Sequence, residues 1–242
     1  MAQEIVFFDL PSAEPRRCWS LNLWKARLIL NYKGIPYTTT WLEYPEIEPN
    51  FKALGVEPHE AGSEVAAYTL PIVHLPDGRY IMESQNIALE LENLYPEPML
   101  PMDQDLAQTL QGLMIETVMP VAGVFMNGSK KMVPPLSAEY IGRKLAKRFG
   151  KSTEQLEGET SGDEAWKGAS SGLKKYGDLL REDQSGPYLR GKTVSYGDFV
   201  IAGVLQWAKR IDEGIYQKIV AIEPSLGALY TACRPWLHRD DH

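Results

Sequence analysis

Residues 68–93 read YTLPIVHLPDGRYIMESQNIALELEN. Two short β-branched runs flank Pro76-Asp77-Gly78-Arg79, and the pair Glu83-Ser84 then opens a helical pattern. Few folds accommodate this order. Pro-Asp-Gly turns the chain tightly enough to pair the flanking strands as a hairpin. Pro71 cannot donate to a ladder, so it sits at a sheet edge or at a cis turn. Glu83 and Ser84 stand where a helix begins, and free N–H groups there favour a carboxylate ligand. The stretch is expected to grip a small peptide-like molecule.

The preceding residues supply the rest of a small α/β unit. Residues 4–8 form a short apolar run bounded by Asp9 and Pro11, which suits a buried strand. A Pro-containing loop follows. From Leu21 the period becomes helical, with Leu21, Trp24, Leu28 and Tyr32 on one face. Gly34 suits a helix C-terminus, and Pro36 stops continuation. Residues 37–42 are β-branched and aromatic, a good strand. Strand, helix and strand in that order predict a right-handed parallel crossover. A short helix is expected over 47–54, closed by Gly55, then a loop over 56–67. With the hairpin and a helix over 84–94, the order is βαβαββα across residues 1–95.

Composition then changes. Pro96, Pro98 and Pro101 mark a stiff, exposed linker over 96–105. Residues 106–242 show almost no strand signal and are expected to form an all-α domain. Helices are predicted over 106–127, kinked at Pro120, and over 137–149, 165–182 and 224–233. Residues 151–164 are polar and contain Gly158 and Gly162, so a loop is expected. Ser195-Tyr196-Gly197-Asp198 reads as a capping box ahead of a further apolar run, with Val194 and Phe199 as its staple.

Charge and apolar content exclude several functions. A net charge of -7 leaves no basic stripe to neutralise nucleic-acid phosphates. The start of the chain lacks a signal-peptide pattern. The most apolar stretch, around 113–126, contains Glu116 and Pro120, so no membrane span is expected. Cys18 and Cys233 are too few for a disulfide framework, which makes a cytoplasmic location the default.

The candidate chemistry lies at Ser20, just before the first helix. Serine at such a place is usually an N-cap. The same position lets its hydroxyl donate to an anion beside the positive helix end. A ligand thiolate held there would have a lowered pKa, and Ser20 itself need not ionise. A cis bond at Pro71 would bare the Leu70 N–H and C=O toward a ligand's own backbone, as an added strand does. Glu83 could take an α-ammonium, and Ser84 an α-carboxylate.

Leu70-Pro71 followed by Glu83-Ser84-Gln85-Asn86-Ile87-Ala88 resembles the glutathione site of cytosolic glutathione transferases. A thioredoxin-like first domain and an all-helical second domain are similar too, so the resemblance spans nearly the whole chain. Cys18-Trp19-Ser20, Trp24-Lys25 and residues 33–37 (KGIPY) are similar to the fungal etherase-like class, related to bacterial lignin β-etherases. The resemblance implies Ser20 as the catalytic residue and Leu70, Pro71, Glu83 and Ser84 as glutathione contacts. It implies a basic partner for the glycine carboxylate, with His59 and Lys52 as candidates. It implies glutathione as co-substrate without a cofactor or metal, a homodimer, and detoxification, with aromatic ether cleavage as a further activity. The second substrate, a hydrophobic or aromatic molecule, is expected against Trp19, the 12–15 loop, Met119 and Phe125. Two alternatives stay open: a non-catalytic binding protein for hydrophobic ligands, and a Cys18-dependent thiol transferase.

Overall fold

β1 (Ile5–Asp9) forms the first strand, and its buried residues Ile5, Phe7 and Phe8 anchor the sheet. The computed structural model of the chain describes residues 4–60, 62 and 66–241. The loop expected over 56–67 lies partly outside those residues.

Helix α1 (Leu21–Tyr32) and strand β2 (Tyr37–Trp41) complete the crossover. β2 pairs parallel with β1, Ile5 opposite Tyr37 and Asp9 opposite Trp41. A buried ion pair fixes α1 to the sheet: Arg27 Nη2 lies 2.7 Å from Asp9 Oδ2, both side chains fully buried. Such a pair is costly to break, because either partner alone leaves a buried charge.

Helix α2 (Tyr44–Ala53) begins three residues earlier than the apolar spacing predicts. The Glu43 N–H donates to Glu46 Oε2 at 2.7 Å, and Pro45 fits the first turn, where its missing N–H is not needed. β3 (Ile72–His74) pairs antiparallel with β1, and β4 (Tyr80–Met82) with β3, giving the order β2-β1-β3-β4. The hairpin turn is as expected: Gly78 takes φ 91°, and the Leu75 N–H donates to Arg79 O at 2.8 Å. Helix α3 (Ser84–Leu94) follows.

The proline-rich linker is held, not free. Lys33 Nζ donates to Tyr95 O at 2.6 Å and to Pro98 O at 2.9 Å, and the Tyr32 hydroxyl donates to Met99 O at 2.9 Å. Leu100 is buried.

Beyond it are α4 (Gln104–Val118), a 3₁₀ turn at Met119–Val121, and α5 (Ala122–Met132). The single kinked helix expected over 106–127 is therefore two helices, broken at Pro120. The run Gln104–Met132 has the length and hydropathy of a spanning helix, but that turn divides it. α6 (Pro135–Phe149) comes next.

The loop expected over 151–164 is instead helix α7 (Thr153–Thr160) and the start of α8 (Asp163–Arg181). Ser152 Oγ accepts from the Gln155 N–H, and Gln155 Oε1 accepts from the Ser152 N–H. Thr153 and Leu156 are its two buried positions. α7 packs on α5 backbone to backbone, and a Cβ on Gly123 would overlap the Leu156 carbonyl. Then come α9 (Tyr196–Ile211), α10 (Glu213–Ile222) and α11 (Pro224–Leu237). α10 escaped the sequence reading, and α11 continues past Cys233.

α9 is the axis of the second domain, buried at every residue from Tyr196 to Ala208. The Ser195 N–H donates to Asp198 Oδ2 at 2.7 Å, the acidic half of the expected capping box. α9 also packs against α1. Gly203 permits that approach, since a Cβ there would stand 2.9 Å from Leu21 O. The first domain's α1 is accordingly buried on both sides, with Leu23, Trp24, Ala26, Leu28, Ile29 and Leu30 fully enclosed.

Candidate functional site

Ser20 is the N-cap residue of α1, yet its hydroxyl makes no capping hydrogen bond. No acidic residue occupies the first turn. The positive end of α1 is thus left uncompensated, with a half-buried hydroxyl beside it. Ser20 lines a cavity of about 700 Å³ together with Asn22, Lys52, Tyr68, Leu70, Tyr44 and Tyr140.

A second recess of about 220 Å³ adjoins it and shares Asn22, Thr69 and Leu70 as lining residues. It is closed by Lys25, Pro71, Glu83, Ser84, Gln111 and Tyr196. The Leu70–Pro71 peptide is cis, one of the two placements expected of Pro71. Leu70 lies just before β3, at the junction of the two cavities.

Glu83 takes φ 76° and ψ 128°, the one positive φ outside glycine among the described residues. Non-glycine residues adopt this region at a cost, and they concentrate at ligand sites. Here the conformation turns β4 directly into α3, placing Ser84 in the first turn of the helix. Thr69 Oγ1 donates to Glu83 Oε1 at 2.7 Å, and His59 Nε2 lies 3.1 Å from the same oxygen. Glu83 Oε2 takes no part in either contact. Ser84 is buried, and its Oγ lies 3.2 Å from the Tyr196 hydroxyl. Burial pushes that phenol up to about 12, against the opposing effect of the Ser84 hydrogen bond, so Tyr196 stays neutral.

Several expected residues fall elsewhere. His59 is engaged with Glu83 and Thr69, and it lines an outer groove with Asn86 and Glu90 instead of the Ser20 cavity. Lys52, the other candidate for the glycine carboxylate, does line that cavity. Trp19 is buried, and Phe125 is core, packed on Trp207 with ring centroids 4.6 Å apart. Met119 is exposed on the 3₁₀ turn. None of these three lines the Ser20 cavity, and the 12–15 loop borders a separate groove beside Trp41 and Pro134. The wall opposite Ser20 is α2 and α6 instead. The Tyr44 and Tyr140 rings stack at 5.0 Å and 6°, and burial raises the Tyr44 phenol well above its ordinary range.

Sequence reasoning also missed Tyr196 and Gln111. Tyr196 lay inside a motif with a complete folding explanation, and Gln111 is one polar position among many on α4. Cys18 is fully buried. Burial, and then the neighbouring Asp9 charge, push its thiol well up, the opposite of a reactive cysteine.

A thioredoxin-like domain that presents a helix-end serine and a cis-proline, joined to a helical domain that closes the recess, defines a glutathione transferase. Comparison with known proteins agrees. The family model "Glutathione S-transferase, N-terminal domain" matches residues 19–94, and "Glutathione S-transferase, C-terminal domain" matches residues 106–228. The Aspergillus flavus "Glutathione S-transferase-like protein ustS" is 31% identical, over 96% of this chain and 90% of that protein. The crystal structure of glutathione transferase GSTFuA3 from Phanerochaete chrysosporium superposes with a TM-score of 0.87 at 26% identity, covering 98% of each chain. That of CsGST83044 from Ceriporiopsis subvermispora, solved in complex with glutathione, gives 0.82 at 28% identity, covering 97% of this chain and 98% of that one. The chain belongs to the glutathione S-transferase family, and its activity is glutathione-dependent, with glutathione as co-substrate.

Proposed function

We propose that this protein conjugates the glutathione thiolate to hydrophobic or aromatic electrophiles, with Ser20 as the catalytic residue. The observation that carries the reading is the Ser20 hydroxyl. It stands at the uncompensated start of α1 and is unused for capping, on a residue that lines the larger cavity. In this arrangement Glu83 takes the γ-glutamyl ammonium, Ser84 the adjacent carboxylate, and the Leu70 backbone the cysteinyl peptide. Pro71 shapes that segment. The thiol then reaches Ser20, and the glycine carboxylate extends toward Lys52. Hydrogen-bond donation from Ser20 and the helix end hold the sulfur as thiolate. The acceptor lies against Tyr44 and Tyr140, close enough for proximity to contribute. Detoxification, aromatic ether cleavage of the etherase-like kind, a homodimer and a cytoplasmic location complete the reading.

The test is a panel of aromatic electrophiles and aryl ethers with glutathione, run on the wild type, Ser20→Ala and Cys18→Ser. Ser20→Ala is expected to lose about 10- to 100-fold in kcat/KM, as for a hydrogen bond to a charged group. Cys18→Ser should retain most of the rate. The reverse ranking would transfer the chemistry to Cys18. Ligand binding without any turnover would favour the binding-protein alternative.

A further inference from the structure

One side chain at the smaller recess has no role in the scheme above. Lys25 lies on α1, one turn inside Ser20, and is 5% exposed. Its neighbours along the helix, Trp24, Ala26 and Arg27, are all fully buried. A lysine in such surroundings loses hydration that only polar partners can replace. Lys25 Nζ makes one hydrogen bond among the described residues, to Asn22 Oδ1 at 2.9 Å, and no ion pair. An ammonium has three protons to donate. The group borders the recess together with Glu83, Ser84, Gln111 and Tyr196. Burial pulls its pKa down to about 8, against the Glu83 carboxylate, which holds it up.

We propose that Lys25 is the cationic partner of the α-carboxylate at the γ-glutamyl end of glutathione. The inference rests on the glutathione reading above and adds the second charge to the recess. The γ-glutamyl end carries one ammonium and one carboxylate on the same carbon. Glu83 Oε1 is already taken by Thr69 and His59, which leaves Oε2 for the ammonium. The opposite charge needs a cation inside the same recess. Arg27 is fully engaged with Asp9, and Lys52 borders the other cavity but not this one. Lys25 has the charge, the burial and the open donors. Asn22 holds the ammonium in place before the ligand arrives, so little ordering is required on binding. Ser84 supplies a neutral donor beside it, and Tyr196 supports Ser84. Recognition of the γ-glutamyl end is thereby charge-complementary at both groups, not at the ammonium alone.

Three ligands separate the two charges: glutathione, 4-aminobutanoyl-Cys-Gly, which lacks the α-carboxylate, and glutaryl-Cys-Gly, which lacks the α-ammonium. Each is titrated calorimetrically into the full-length wild type and into Lys25→Met. The substitution should weaken glutathione and glutaryl-Cys-Gly about 10- to 100-fold and leave 4-aminobutanoyl-Cys-Gly within about 2-fold, the range for losing a charged hydrogen bond. Lys25→Gln is the substitute if the Met variant does not fold, and the same pattern is expected of it. Equal weakening of glutathione and 4-aminobutanoyl-Cys-Gly, or no weakening of either, overturns the role of Lys25 while glutathione binding by the wild type stands. A wild type that binds none of the three ligands overturns the glutathione reading, and the proposal with it.

Discussion

The two walls that meet at Leu70 are built in opposite ways. The wall formed by residues 69–84 owes its shape to the backbone: Leu70 just before β3, Glu83 at φ 76°, and Ser84 in the first turn of α3. The wall formed by α2 and α6 owes its shape to side chains. Tyr44 stacks on Tyr140, and the Ser137 N–H and Oγ donate to Glu43 Oε2 at 2.9 and 3.0 Å. A backbone-built wall keeps its shape when a side chain is exchanged, so a substitution there removes only the group exchanged. A side-chain wall can be re-cut by single replacements without disturbing the fold. We take the difference as a division of labour: the first wall holds the constant substrate, and the second selects the variable one.

The largest expected effect lies on the first wall. Glu83→Gln and Ser84→Ala should each raise the glutathione Kd about 10- to 100-fold, since the first removes the charge facing the ammonium and the second a hydrogen-bond donor to the carboxylate. Calorimetry checks this. Unchanged affinity in both variants would remove the site from this stretch of chain and end the comparison. A smaller effect is expected across the cavity. Tyr140→Ala should leave the glutathione Kd within about 2-fold, while the KM for an aromatic acceptor rises about 3- to 10-fold, the size of one aromatic pairing. Steady-state kinetics with each substrate varied in turn make the distinction. Equal losses for both substrates would show that the walls do not divide the work.

These walls differ in the same way in how far the sequence discloses them. The first is local. Pro71, the Pro-Asp-Gly turn and Glu83-Ser84 lie within about one hairpin, and turn chemistry and helix-start preferences act over that range. Their roles as structural elements follow directly. The second is long-range: Tyr44 meets Tyr140 only because the helical domain folds back over α2, and no periodicity reports that. Residue type alone points Trp19, Met119 and Phe125 to the acceptor, and type cannot separate a core aromatic from a lining one. A basic side chain makes His59 a candidate for the glycine carboxylate, and that does not reveal that Glu83 and Thr69 already hold it. Helix α7 was hidden for a related reason. Its exposed face is polar, and its stabilising contact is Gly123 of α5, about thirty residues earlier in the chain. Nothing local marks Lys25 as buried, because the face of α1 that carries it is covered by α9, far along the chain.

The central claim is that Ser20 holds the glutathione sulfur as a thiolate. The direct measurement is the ultraviolet thiolate absorbance of bound glutathione, titrated against pH in the wild type and in Ser20→Ala. The sign follows from the linkage: a hydrogen bond to the charged form favours that form and lowers the thiol pKa. In the wild type the bound thiol should titrate about 1–2 pH units below the ordinary thiol value of about 8.5. Ser20→Ala, still binding glutathione, should move the midpoint back toward the free thiol. The same midpoint in both proteins would contradict the account.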